Sequence, residues 1–370
     1  MNAPKRVAVI GAGIIGVSTA VSLARAGADV VLVDEKGLAT GASGRSLSWL
    51  NSSGAYSAEY HLLRALGIDR YRTRAASAAS ASYLKFEGGL RWMAADASSA
   101  LRDLFEHEIR LGYDSYWLAP EQISAATPGV DSAAVRSTGA IFNPGEGWVD
   151  LVPLVHDLAE DFLALGGRLL PQAGPTVVTT SGSRVTGVLT ADGCRIQADA
   201  VLVATGANVP EMTRAVGVAL PAQTTNALLV RAKNFEGSLR AVLNTPRVSL
   251  RPAPGHTLVM DSGWSQRAVV ERAGGWDVPD GIVEELLAEA SQVLEGNPRL
   301  ELDRYFVGKK PIPGGGEPVL GALDSVGGYY VAFTHSGATI GLIAGELLAN
   351  TIMRGVMHPL LAAFQPSRFR

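Results

Sequence analysis

Residues 6–34 read RVAVIGAGIIGVSTAVSLARAGADVVLVD, and this stretch decides the fold. Residues 7–10 are a short apolar, valine-rich run that enters Gly11-Ala-Gly-Ile-Ile-Gly16 directly. Residues 17–26 carry apolar side chains at helical spacing and stop at Gly27; residues 30–33 form a second buried-strand pattern ending in Asp34 and Glu35. Strand, glycine turn, helix and strand within about 30 residues make one βαβ unit. Each glycine has a mechanical reason. The first permits a tight turn, the second lets a pyrophosphate approach the backbone, and the third lets the helix pack on the strand. Backbone N–H groups at the helix start, around Ile14 and Ile15, then face the phosphates with the positive end of the helix dipole. Asp34 follows Gly16 by 18 residues, where a carboxylate accepts from ribose hydroxyls. An acid rather than an arginine there disfavours a 2′-phosphate. The motif predicts a dinucleotide site.

The rest of the chain bounds what such a site can belong to. Its 370 residues suggest about two domains, and 47% hydrophobic residues are ample for a large core. The 42 glycines show no G-X-Y period, so they read as turns and close backbone approaches. With 32 basic and 35 acidic residues the formal charge is 32 − 35 = −3, and no basic block offers a nucleic-acid surface. The single cysteine, Cys194, excludes an intrachain disulfide and a cysteine metal cluster. None of the six histidines has metal-ligand spacing to another, so no metal is expected. The N-terminus lacks a small-residue cleavage site. The apolar segment 337–355 is interrupted by Glu346 and Asn350, which argues against a membrane span. A soluble, cytoplasmic protein is expected.

Further along, periodicity predicts helix through 59–93, including the Ala/Ser-rich stretch 75–82, and again over 101–111 and 151–165. Short strands are expected at 177–178, 185–189, 195–196 and 200–204, then at 227–232, 248–251 and 257–260. A helix over 281–294 has Asp280 available as its cap; a strand at 305–307, another at 329–333 and a long helix over 337–354 close the chain. Nucleotide-type pieces at the start, middle and end imply one discontinuous nucleotide domain holding a β-rich insertion.

Three further stretches recur in order: Thr40-Gly-Ala-Ser-Gly-Arg45, Ala204-Thr-Gly-Ala207 and Thr334-His-Ser-Gly337. With the glycine motif they resemble the FAD-dependent amine oxidoreductases of the D-amino acid oxidase, glycine oxidase and sarcosine oxidase type. The resemblance implies an α/β fold. A Rossmann-like FAD-binding domain (1–55, 140–218 and 318–370) would carry an inserted mixed α+β substrate domain built on an antiparallel sheet (56–139 and 219–317). It implies that Gly11, Gly13, Ile14, Ile15 and Gly16 hold the pyrophosphate and that Asp34, with Glu35 beside it, holds the ribose. Ala42, Ser43, Arg45 and Ser46 would run along the pyrophosphate toward the flavin. Val177 would sit near adenine, Gly206 near the cofactor, and Gly337, Ala338 and Thr339 at the pyrimidine edge. The small-residue spacing of Gly337, Gly341 and Gly345 also fits a helix-packing face, so Gly337 reads as functional and the other two as structural. Cys194 lies on the wrong segment for a covalent flavin link, so non-covalent FAD is expected.

At the substrate end, Gly308-Lys-Lys-Pro-Ile-Pro-Gly314 resembles a family stretch whose arginine grips a substrate carboxylate, and Lys310 occupies its place. An ammonium lacks the planar two-pronged fork, so the exchange is not conservative. Either the carboxylate is bound differently or the substrate has none, and Lys309 and Lys310 also read as solvated charges at a strand end. Arg251 is a candidate substitute anchor. His335 is either a loop histidine or a catalytic base. Trp49, Tyr56 and Tyr60 read either as pocket wall or as plain packing. The resemblance implies oxidation of an amine or amino acid C–N bond by hydride transfer to flavin N5, giving an imine that hydrolyses. Oxygen or another acceptor would then take the electrons. Two alternatives stand beside it: a 2-hydroxy acid dehydrogenase using His335 or His256 as base, and a flavoprotein subunit of a heteromeric dehydrogenase. Oligomeric state stays open.

Overall fold

The computed structural model describes residues 4–77, 80–135 and 139–369. The βαβ expectation takes the form of strand β1 (Arg6–Ile10), helix α1 (Ile14–Arg25) and strand β2 (Asp29–Val33). The apolar run of β1 is buried on both faces because it lies inside a six-stranded sheet. The order is Val319–Ala322, Tyr329–Phe333, Ala200–Val203, β1, β2, Arg168–Leu170. Val9 pairs in parallel with Leu32 on one side and Leu202 on the other. All pairs in this sheet are parallel except the last hairpin, where Val319 faces Phe333. A separate antiparallel sheet, Val177–Ser181, Arg184–Leu189 and Arg195–Gln197, belongs to the same unit.

The chain divides into two compact units, one of residues 1–44, 151–225 and 309–370 and the other of 45–150 and 226–308. In the second, an eight-stranded sheet runs Glu301–Lys310, Thr225–Lys233, Thr257–Asp261, Ser249–Ala253, Val242–Asn244, Gly89–Arg91, Ala140–Asn143, Tyr116–Leu118. From Thr225–Lys233 to Tyr116–Leu118 the pairs are antiparallel apart from Val242 against Gly89. Leu90, Leu101, Ile123, Leu228, Leu250 and Leu286 form the core beneath it, each essentially inaccessible to water. At about 1.5–3 kcal/mol per fully buried aliphatic side chain, such a cluster is the main favourable term for this unit.

Two expectations fail locally. The helix expected through residue 93 ends at Ala75, and strands Leu84–Lys85 and Gly89–Arg91 follow (Ala78 and Ala79 lie outside the described residues). Strand pairing overrides helix propensity here, helped by Gly88 at φ +89°, which no helix accommodates. The helix Ile282–Gln292 is entered from Gly281 at φ +81° rather than capped by Asp280.

Candidate functional site

The site assembles where β1 ends. Gly11 has φ +105°, donates its N–H to Val33 O at 2.8 Å, and lies so close to the chain after Ala200–Val203 that a Cβ would stand 2.5 Å from Ala204 O. A Cβ on Gly16 would fall inside the Gly11 carbonyl, so helix and turn touch only because residue 16 is glycine. Gly13 is the N-cap of α1 and supplies no side-chain cap; instead Ser43 Oγ accepts from Ile14 N at 3.0 Å. Asp34 ties the turn to the end of β2. Its Oδ2 accepts from Ala12 N at 2.7 Å, and its Oδ1 accepts from Lys36 N at 2.9 Å and Gly37 N at 2.7 Å. Glu35 is exposed, and the carbonyls of Asp34 and Glu35 receive the N–H groups of Ala173 and Gly174. The strand that begins at exposed Val177 follows directly.

A second helix N-terminus meets the first. Gly337–Arg354 packs along α1: a Cβ on Gly341 would stand 2.6 Å from Ile14 Cγ1, one on Gly345 2.7 Å from the Ser18 carbonyl carbon, and Ser18 Oγ donates to Gly341 O at 2.7 Å. Those two glycines are packing glycines. Gly337 differs, because its Cβ would first meet Ile14 Cγ2 at an ordinary 3.6 Å. Ala338 is half-buried beside it and Thr339 is buried. Gly206, at φ +59°, has nothing within 4 Å of its Cβ position. A groove of about 460 Å³ lined by Arg6, Arg184, Arg195 and Asp199 sits instead where β1 begins, the opposite end of the strand from the glycine turn. Open parallel sheets bind ligands at the carboxyl ends of their strands, which makes the glycine edge the candidate site.

The sequence profile of the FAD dependent oxidoreductase family matches residues 6–351. The chain belongs to that family. Among relatives, it is 27% identical to a glycine oxidase of Pseudomonas aeruginosa, with 94% of each chain covered, and 26% identical to a D-amino acid dehydrogenase of a Methylobacterium species, with 99% of each covered. Its fold matches glycine oxidase from Geobacillus kaustophilus (TM-score 0.81, 22% identity, 98% and 99% covered). It also matches an L-amino acid deaminase from Proteus vulgaris (TM-score 0.84, 20% identity, 100% and 95% covered). The protein is an FAD-dependent oxidoreductase.

The residues at the glycine edge fit FAD. Two helix N-termini converge with no N-cap side chain accepting from either, a carboxylate follows β2, and glycine at 13, 206 and 337 keeps side chains out of this edge. Ser43 lies at the α1 terminus, while Ala42 and Arg45 bound a short 3₁₀ turn that leads into Ser46.

The substrate-end candidates fall in both units, Lys310 and His335 in the first, Arg251 and His256 in the second. Lys310 is half-buried at the end of Glu301–Lys310, beside exposed Lys309, and His335 is exposed. His256 stands on an exposed hairpin turn, 3.8 Å from Glu236. Arg251 is buried, and burial lowers it to about 10, which still leaves a cation at neutral pH. It donates to Leu47 O, to Pro252 O at 2.8 Å and to Val149 O at 3.3 Å, and lies 4.9 Å over the Trp148 ring. Three of its five N–H donors thus brace backbone. Among the described residues no group of three or more His, Cys, Asp or Glu could hold a metal, and no single helix is long and apolar enough to cross a membrane.

Sequence reasoning missed a buried polar network in the second unit. Glu146 and Glu108 are inaccessible to water. Glu146 receives Trp49 Nε1 at 2.7 Å and Tyr113 Oη at 2.6 Å; Glu108 receives Ser53 Oγ and Ser115 Oγ, both at 2.6 Å. Arg64, also buried, donates to Asn51 Oδ1 at 2.8 Å and lies 4.4 Å over the Tyr56 ring and 5.3 Å over that of Tyr60. Trp49, Tyr56 and Tyr60 therefore all make polar or cation–π contacts in this network. No local spacing announces it, because its members come from separate segments.

Proposed function

We propose that this enzyme oxidises a C–N bond of an amine or amino acid to an imine, which water hydrolyses, with FAD held non-covalently at the glycine edge. The observation that carries the reading is the meeting of the α1 and Gly337–Arg354 N-termini beside Asp34, in a chain that matches its family over nearly its whole length. Bound FAD supplies a two-electron acceptor for the hydride that leaves the substrate carbon. The chain does the rest. The Gly11–Gly16 turn and α1 hold the pyrophosphate. Asp34 keeps lone-pair capacity for a ribose hydroxyl beyond its three backbone donors. The N-terminus of Gly337–Arg354 stabilises negative charge at the pyrimidine edge. Lys310 pairs with a substrate carboxylate as a point charge. Cys194, exposed in the Thr190–Cys194 turn and lining a groove with Arg6 and Asp29 at the beginning of β1 and β2, is at the far edge of the sheet from the glycine turn, which supports a non-covalent cofactor.

The test is anaerobic bleaching of the purified flavoprotein by D- and L-amino acids, N-methyl amino acids, simple amines and 2-hydroxy acids. Bleaching within the amine set is expected. Reduction by hydroxy acids alone would overturn the C–N reading and leave the family assignment standing.

A further inference from the structure

The segment 49–53 is held by buried polar groups at nearly every residue. Trp49 Nε1 donates to Glu146 Oε2, Asn51 Oδ1 accepts from Arg64, Ser52 N donates to Tyr113 Oη at 2.9 Å, and Ser53 Oγ donates to Glu108 while Ser53 O accepts from Arg91 at 3.3 Å. Glu146 is the hub: through Tyr113 and Trp49 it reaches both Ser52 and Trp49. Gly89 makes room for it, since a Cβ there would strike Glu146 Oε2 and approach Trp49 Nε1 at 3.0 Å.

Donor and acceptor chemistry fixes where a proton on Glu146 can sit. The indole N–H only donates, so Oε2 must accept. A proton on the carboxyl finds an acceptor on the Oε1 side, in the 2.6 Å contact with the Tyr113 hydroxyl, whereas the indole facing Oε2 cannot accept. With that proton present, Tyr113 Oη accepts from both Ser52 N and Glu146. With it gone to solvent, Tyr113 must turn its own hydrogen onto Oε1, and both donors grip a charge. Loss of one proton thus reverses a hydrogen bond that anchors segment 49–53.

We propose that Glu146 is a positioning residue whose proton sets the arrangement of segment 49–53, and that the flavin environment responds to it through the chain continuing from Ser43–Ser46. This rests on the cofactor reading above. Burial pushes the Glu146 carboxyl up to about 8; the Glu108 carboxylate adds to the rise, and Tyr113, Arg91 and Trp49 oppose it. The other groups around the network are His61, lowered chiefly by burial and packed against the Tyr113 ring at 5.2 Å, and the Arg64 cation. Lys85 on the neighbouring strand pairs with Trp148, and Glu87 is exposed.

The experiment is a titration of the flavin-loaded enzyme from pH 6 to 10, read by tryptophan fluorescence and flavin absorbance, for wild type, Glu146→Gln and Trp49→Phe. Glutamine accepts from Trp49 and donates to Tyr113, so it holds the protonated pattern at every pH. Wild type is expected to show one step near pH 8 in both signals, Glu146→Gln none, and Trp49→Phe a step moved to higher pH, because the carboxylate has lost a donor. A step that survives Glu146→Gln, or one that Trp49→Phe leaves in place, overturns the proposal. Protein that purifies and reconstitutes without flavin would sink the cofactor reading instead, while the fluorescence step would still report on Glu146.

Discussion

The glycine edge of the first unit and the buried network of the second both gather polar groups, yet they are built in opposite ways. At the glycine edge the donors are backbone N–H groups of two helix starts, brought together by residues with no side chain at 11, 13, 16 and 337. In the network the donors and acceptors are side chains, Trp49, Tyr113, Glu146, Glu108 and Ser53, already matched to one another at 2.6–2.7 Å. On the proposed reading, one region offers its donors to a charge that the cofactor brings. The other keeps its own charges inside and must pay their desolvation within the fold. On the two proposals above, the difference is that between a place that binds and a place that positions.

The hardest blow to the first region is Gly16→Ala. A methyl group inside the Gly11 carbonyl forces α1 and the turn apart, and backbone on both sides leaves no flexible neighbour to yield. The expected result is loss of bound flavin together with a fall of about 1–3 kcal/mol in stability, the usual cost of overpacking. A flavin-to-protein absorbance ratio and urea unfolding check both halves. Retention of full flavin content would mean that the glycine turn is not the binding element.

In the second region Glu146→Leu takes from Trp49 Nε1–H its Glu146 acceptor and from the Tyr113 hydroxyl its Glu146 partner, at about 1–3 kcal/mol for each buried group left unsatisfied. The pH dependence carries a sign as well. A carboxyl raised in the folded state holds its proton more tightly than the unfolded chain does, so its contribution is present below about pH 4.5 and is lost as pH climbs through about 8. Glu146→Gln should flatten that decline in a series of urea midpoints taken from pH 5 to 9. An unchanged slope would assign the decline to other groups.

The same contrast explains what the sequence could disclose. The βαβ unit was legible because its signals are contiguous: an apolar run, three glycines in six residues, and an acid at the end of the next strand. Gly341 and Gly345 were legible as packing residues because spacing of four puts them on one helix face. Asp34 was placed correctly at the end of β2, but its grip on Ala12, Lys36 and Gly37 depends on turn geometry that spacing does not encode. Glu146 stayed hidden because its partners lie 97 and 33 residues away, and nothing near Glu146 in the chain distinguishes it from a surface acid. The strands at 84–91 were hidden for the same reason, since their partners lie within 141–149 and 242–244.

Gly337→Ala sharpens the comparison by separating packing from binding on one helix. The new methyl group meets Ile14 at 3.6 Å, ordinary contact, so stability should hold within about 1 kcal/mol and can rise through better helix propensity. Flavin should dissociate more readily all the same if, as proposed, the cofactor approaches at this helix start. Weaker flavin binding at unchanged stability is the expected pair of results. The control, Gly345→Ala, should lose stability first, its methyl group falling 2.7 Å from backbone.

The smallest effect is expected at Lys310. Its ammonium is half-buried at a strand end, and a point-charge pair in that setting contributes about 0.2–1 kcal/mol, at most about fivefold in binding. Lys310→Ala should therefore raise KM for a carboxylate-bearing amine by up to about fivefold, with kcat, flavin content and unfolding midpoint unchanged. Amines without a carboxylate should show no response, and that internal control is what gives a small effect its meaning. Equal loss for both substrate types would move Lys310 from substrate recognition to packing. No loss for either would leave the carboxylate, if the substrate has one, to a different cation. Arg251 is a poor candidate for that role, because three of its donors already brace Leu47, Val149 and Pro252, and a guanidinium that released them would unfasten the strands it joins.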